Sequence, residues 1–128
     1  MRILIVDDNA SVRTLARVYA EQEAACDVVE AADGHDAVRL VGEQQFALMI
    51  VDFHMPGMNG LDTTRRVLEI SPQTEVVAWT SVLDPAVERA FVEAGARCHV
   101  PKTDTEELRR VIRERSRATT EPSASRAA

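Results

Sequence analysis

The chain has 128 residues, of which 45% are apolar and 28% charged, and it carries a formal net charge of −6. That length suits one domain with a core of its own. The acidic balance argues against nucleic acid as the main partner, because phosphate binding needs clustered Lys and Arg, and no stretch approaches the roughly 20 apolar residues that cross a bilayer.

Ile3–Val6 is a short aliphatic run and predicts a first strand, followed at once by two adjacent carboxylates, Asp7 and Asp8. The run is too short for a signal-peptide core, so a cytoplasmic protein is expected. Val12, Leu15, Ala16 and Tyr19 recur at i, i+3, i+4 and i+7 and predict the first helix. Val28 and Val29 mark a second strand, short and partly polar as an edge strand is. Asp33-Gly34 predicts a turn before a second helix with its apolar face at Ala37, Leu40 and Val41. Phe46–Val51 is solidly apolar and predicts a central strand buried on both faces, ending at Asp52. Leu61, Thr64 and Leu68 line a third helix. Val76–Trp79 predicts the fourth strand, which leads into Thr80 and Ser81.

Asp84 before Pro85 is a helix cap followed by a first-turn proline. Val87, Ala90, Phe91 and Ala94 give that fourth helix its face, and Gly95 ends it. Cys98–Val100 predicts a fifth strand, followed by Lys102. Asp104 and Glu107 have the spacing of a capping box, and Leu108, Val111 and Ile112 line a fifth helix. After Arg115 the sequence has no apolar face. Residues 1–116 are therefore expected to form the domain, and residues 117–128 a flexible tail or the start of a linker. Cys26 and Cys98 lack CxxC spacing and are expected to be small buried thiols in a reducing compartment.

Strands that alternate with helices predict an α/β fold with a mostly parallel sheet. In such sheets ligands bind at the carboxyl ends of the strands. Asp7, Asp8, Asp52, Thr80 and Lys102 all fall at those ends. Each alone has a plain structural explanation as a cap, a turn residue or a solvated charge. Four strands delivering such groups to one rim is a much rarer pattern.

The stretches "ILIVDDN", "MIVDFHMPGMNGLDTTRRV", "VVAWTS" and "GARCHVPKTD" resemble the receiver domain of bacterial two-component response regulators. The resemblance covers about Arg2 to Arg115, and "VDFHMPGMNG" is its most specific block. It implies a flavodoxin-like doubly wound (βα)5 sandwich, with a five-stranded parallel sheet in the order 2-1-3-4-5.

The resemblance further implies that Asp52 is the phosphoacceptor for a phosphoryl group from a sensor histidine kinase or phosphotransfer protein. Mg²⁺ would be the cofactor, held by Asp7, Asp8, Asp52 and the backbone carbonyl of His54. Lys102 would meet the phosphoryl oxygens as a point charge, and Thr80 would donate a hydrogen bond to them. Crowded acids of this kind should raise at least one carboxylate pKa. Gly57 and Gly60 would keep the loop after Asp52 compact, and Pro56 would stiffen it. Thr80 and His99 would be the switch residues, changing a surface built from the fourth helix, fifth strand and fifth helix. Such a domain is a signalling module, not an enzyme, limited to autocatalytic phosphoryl acceptance and slow autodephosphorylation. Homodimerisation on phosphorylation is one implied partnership; direct nucleic acid or membrane binding is not implied.

Several readings stay open at this point. His99 stands where Tyr or Phe is commoner, so it is either the switch or an ordinary strand residue. The Lys102–Thr103 bond is trans, or cis and held by packing. Glu88, Arg89, Asp104, Glu106, Arg109, Arg110 and Arg113 form either an intermolecular ion-pair set or a solvated face. The chain is either a stand-alone receiver or the first part of a DNA-binding regulator. A degenerate receiver that only binds protein is the alternative to phosphoryl acceptance. Hydrolases with an aspartyl nucleophile want a second acid two residues on, where His54 stands.

Overall fold

The computed structural model describes residues 1–120. Strands and helices alternate in the order β1 (Arg2–Val6), α1 (Ala10–Glu23), β2 (Asp27–Ala31), α2 (Gly34–Glu43), β3 (Leu48–Val51), α3 (Gly60–Ile70), β4 (Glu75–Thr80), α4 (Pro85–Glu93), β5 (Cys98–Pro101) and α5 (Thr105–Thr120). Every strand pairing is parallel and the sheet order is β2-β1-β3-β4-β5. This is the doubly wound arrangement expected, with β2 at an edge.

The period-2 alternation of each strand sends side chains to two separate layers. Leu4, Val6, Met49, Val51, Val76 and Ala78 pack toward α2, α3 and α4, where Leu40, Val67 and Phe91 meet them. Ile3, Ile5, Ile50, Val77, Trp79 and Val100 pack toward α1 and α5, against Ala16, Ala20, Leu108 and Ile112. A sheet covered on both faces needs apolar residues at every position of its central strands. The wholly buried β3 meets that demand.

Short polar side chains start the helices by accepting from otherwise unpaired backbone N–H groups. Asn9 accepts from Ser11 and Val12, Asp33 from Asp36, Asn59 from Asp62 and Asp84 from Ala86. Asp104 accepts from the Glu107 N–H at 3.1 Å, the half of the expected capping box that the backbone supplies.

Two boundaries and one buried face differ from what the sequence predicts. β3 starts at Leu48, because Phe46 and Ala47 approach it in a bend: the Phe46 carbonyl accepts from the Thr74 hydroxyl and the Ala47 N–H donates to Arg2. Leu15 is 42% exposed, because the buried stripe of α1 is centred on Ala16 and Ala20 and leaves Leu15 on its flank. α5 runs on to Thr120, past the boundary expected after residue 116; the rest of the expected tail, residues 121–128, lies outside the described residues.

The described residues contain no cis peptide bond, so Lys102–Thr103 is trans. Arg109, Arg110 and Arg113 of α5 all pair within the chain. Arg109 and Arg113 both donate to Glu23 at the end of α1, at 3.0 and 2.6 Å. Arg110 pairs with Glu107 and Glu114 along its own helix.

Candidate functional site

Because all strands run the same way, their carboxyl ends share one rim. β1 delivers Asp7 and Asp8 there, β3 Asp52, β4 Thr80 and β5 Lys102. Asp7 and Asp52 are buried at 2% and 7% exposure, whereas Asp8 reaches solvent. One carboxylate oxygen from each of the three lies within 4.8 Å of the others.

Lys102 closes the cluster. Its Nζ donates to Asp7 Oδ2 at 2.8 Å and to Asp52 Oδ2 at 3.1 Å. The second oxygen of each carboxylate accepts a backbone N–H, from Asn9 on Asp7 at 2.9 Å and from Phe53 on Asp52 at 2.8 Å. Burial pushes the Asp7 carboxyl above its usual range; Lys102 and the Asn9 N–H pull it back only in part, and Asp52 adds repulsion. For Lys102, burial acts downward, but the Asp7 and Asp52 carboxylates outweigh it and hold the ammonium above its usual range.

The loop after Asp52 is shaped by two glycines. Gly57 has φ 76°, the left-handed region that side chains disfavour. Gly60 opens α3 so close to β3 that a Cβ there would stand 1.9 Å from the Asp52 carbonyl oxygen. The Gly60 N–H donates to the Phe53 carbonyl at 2.8 Å, drawing the start of α3 onto the end of β3.

Thr80 is fully buried; its hydroxyl accepts from the Val82 N–H at 3.2 Å, and its carbonyl accepts from the Lys102 N–H at 3.0 Å. His54 has an exposed side chain beside Phe53, with ring centroids 4.9 Å apart. His99 turns toward α4, 6.3 Å from the Phe91 ring, with Nε2 buried and without a hydrogen-bond partner among the described residues. The site thus brings together Asp7, Asp8, Asp52 and Lys102, with Thr80 at the neighbouring strand end, while His99 lies beside Phe91.

Two residues gain importance that their sequence context did not reveal. Asn9 both caps α1 and holds Asp7; an Asn just before a helical run is a recognisable cap, but its second task is not. Trp79 lies beneath Lys102, whose Nζ is 5.8 Å from the indole centroid. Nothing short of the strand register would have paired them.

The donor set is three carboxylates and no sulfur, which fits a hard divalent cation such as Mg²⁺. Residues 3–113 match the family model for the response regulator receiver domain. The chain is 35% identical to the transcriptional activator protein ExaE of Pseudomonas putida, over 88% of this chain and 55% of that protein. It is 32% identical to the response regulator GacA of Pseudomonas aeruginosa, over 89% of this chain and 54% of that one. The chain therefore spans about half the length of these curated relatives. Among solved structures, a LuxR-family two-component response regulator from Aurantimonas superposes with a TM-score of 0.83 at 32% identity, covering 88% of this chain and 82% of that one. The chain belongs to the response regulator receiver domain family of two-component systems. Among the described residues, no helix is long and apolar enough to cross a membrane.

Proposed function

We propose that this receiver accepts a phosphoryl group on Asp52 from a phosphohistidine of a sensor kinase or phosphotransfer protein. One Asp52 oxygen forms a bond to phosphorus while the P–N bond to the donor histidine breaks, and the imidazole nitrogen keeps the bonding pair. The observation that carries this reading is the Lys102 ammonium shared between Asp7 and Asp52 at 2.8 and 3.1 Å. A carboxylate and a phosphoryl group are both anionic, so their approach needs positive charge already in place.

Asp7, Asp8 and Asp52, with the carbonyl of His54, are the groups that would hold Mg²⁺. When bound, the ion supplies the second positive charge and a Lewis acid for the phosphoryl oxygens. Lys102 exchanges its contact with Asp52 for the incoming oxygens. Thr80 gives up the Val82 N–H and donates its hydroxyl to them. His99, already turned in beside Phe91, is the aromatic that moves with Thr80. The result is a two-state change of the α4–β5–α5 surface, biased by phosphorylation. In this reading the protein is a cytoplasmic signalling module, not an enzyme, and its output is made through a protein partner or a second copy; it does not bind nucleic acid directly.

Treatment with acetyl phosphate and Mg²⁺, followed by intact mass measurement, tests the reading. The expected result is a gain of one phosphoryl group, abolished by chelation and by Asp52→Asn. No gain under any condition would leave a protein-binding module as the better account.

A further inference from the structure

We propose that Trp79 is a positioning residue for phosphoryl transfer: its indole face is the floor on which the Lys102 ammonium is held at the site. The proposal rests on the reading of Lys102 as the phosphoryl-binding cation, and it assigns that cation its support.

Distance is the first ground. Lys102 Nζ stands 5.8 Å from the indole centroid, inside the range of about 6 Å over which a ring face attracts a cation. Register is the second. Trp79 of β4 is paired with Val100 of β5, and both belong to the layer under α1 and α5. Lys102 follows in the turn after β5, and its Nζ comes over the Trp79 ring while reaching Asp7 and Asp52.

The third ground is a polar group with no partner. Trp79 is 2% exposed, yet its Nε1 is buried without an acceptor among the described residues. An indole N–H in that state is unfavourable, so packing alone favours Phe or Leu here. What the indole has over Leu is a negative ring face, and over Phe a stronger one.

The chemical benefit lies in what the ring leaves unused. Asp7 and Asp52 each take an N–H of the ammonium. The indole attracts the charge without consuming an N–H donor. When a phosphoryl group arrives on Asp52, the donors can turn to its oxygens while the charge stays in place. The ring also keeps water away from one side of the ammonium, which strengthens its field at the reacting oxygens. Trp79 makes and breaks no bond.

The test uses Trp79→Phe, Trp79→Leu, Lys102→Ala and the Trp79→Leu/Lys102→Ala pair in the full chain, with acetyl phosphate and Mg²⁺ as the probe. Trp79→Phe is expected to stay within about twofold of the parent rate, and Trp79→Leu to fall about three- to tenfold, the size of one partly desolvated cation–ring contact. In the Lys102→Ala background, Trp79→Leu should change nothing further, because its effect acts through that amine. A second readout needs no phosphodonor: the Lys102 methylene protons should show an upfield ring-current shift by NMR in the parent and in Trp79→Phe, and lose it in Trp79→Leu. A Trp79→Leu protein with parent-like unfolding and an unchanged rate overturns the proposal. So does a deficit of equal size with and without Lys102, which marks a packing defect. A parent chain that shows the ring-current shift yet takes up no phosphoryl group overturns the phosphoacceptor reading itself, a different failure.

Discussion

Gly60 and the Asp52 carbonyl occupy space that admits no side chain between them: a Cβ on Gly60 would lie 1.9 Å from the Asp52 carbonyl oxygen and 2.7 Å from its carbonyl carbon. Both neighbours are backbone, so neither can rotate away. The start of α3 is thereby fixed against the end of the strand that carries the proposed phosphoacceptor. Gly60→Ala is expected to lower stability by about 1–3 kcal/mol, as overpacking does. It should also slow phosphoryl uptake, because relief of the clash displaces Asp52. Urea unfolding and acetyl phosphate kinetics check both, and a variant of unchanged stability would refute the close approach.

Asp7 is a group whose folded pKa is raised, chiefly by burial. The folded state therefore holds its proton more tightly than the unfolded state does. Such a group costs stability at neutral pH, and the cost disappears as pH falls below the ordinary aspartate value of 3.8. Asp7→Asn should accordingly be more stable than the parent at pH 7 without divalent ion. That advantage should vanish near pH 3, while Mg²⁺-dependent phosphoryl uptake is lost at every pH. Thermal unfolding across pH tests the sign; a destabilised variant at pH 7 would count against it.

Glu23 behaves in the opposite sense. Hydrogen bonds from Arg113 and Arg109 hold its carboxyl below the usual glutamate range. Its contribution is present above the unfolded value of 4.5 and is lost as pH falls through the lower folded value. Glu23→Gln is expected to lose stability at pH 7, and the gap between variant and parent should close at acid pH. High salt should narrow the gap as well, since screening weakens partly exposed pairs. A gap independent of pH would show that packing, not charge, ties α1 to α5.

His99 has an imidazole nitrogen that burial strips of water and that no described residue satisfies. A buried polar atom of this kind costs about 1–3 kcal/mol. Phe at this position keeps the ring contact with Phe91 and removes the nitrogen. His99→Phe is expected to raise stability by about 1 kcal/mol, a part of that cost, read as a higher midpoint in urea. A lowered midpoint would mean that the imidazole finds a partner in solution.

The rim residues are legible because a parallel sheet sends every strand end to one side, so the sequence alone groups Asp7, Asp52, Thr80 and Lys102. Their contacts are not legible. The Lys102–Asp7 bond joins residues 95 apart, and no local pattern encodes it. The periodicity of α1 puts Leu15 on the buried face, because large apolar residues dominate such a pattern. The stripe is in fact built on Ala16 and Ala20, small residues that let the helix sit close to the sheet. Phe46 is buried as its apolar neighbours suggest, but apolar continuity says nothing about where ladder bonding begins. Strand alternation does not say what the helix facing His99 offers, so its neighbour, the Phe91 ring 6.3 Å away, is not legible in the sequence.

The separation of 95 residues between Asp7 and Lys102 has a consequence for biosynthesis. A ribosome adds residues at about 5–20 per second, so the first acidic pair emerges several seconds before the amine that balances it. Until then the nascent N-terminal strands carry uncompensated negative charge at their tips, and the helix ending at Glu23 still lacks its two arginines. Long-range closure of this kind is slow and cooperative. The acidic rim and the amine that balances it can meet only after Lys102 has been made, so a fragment ending before Lys102 is expected to take up no phosphoryl group.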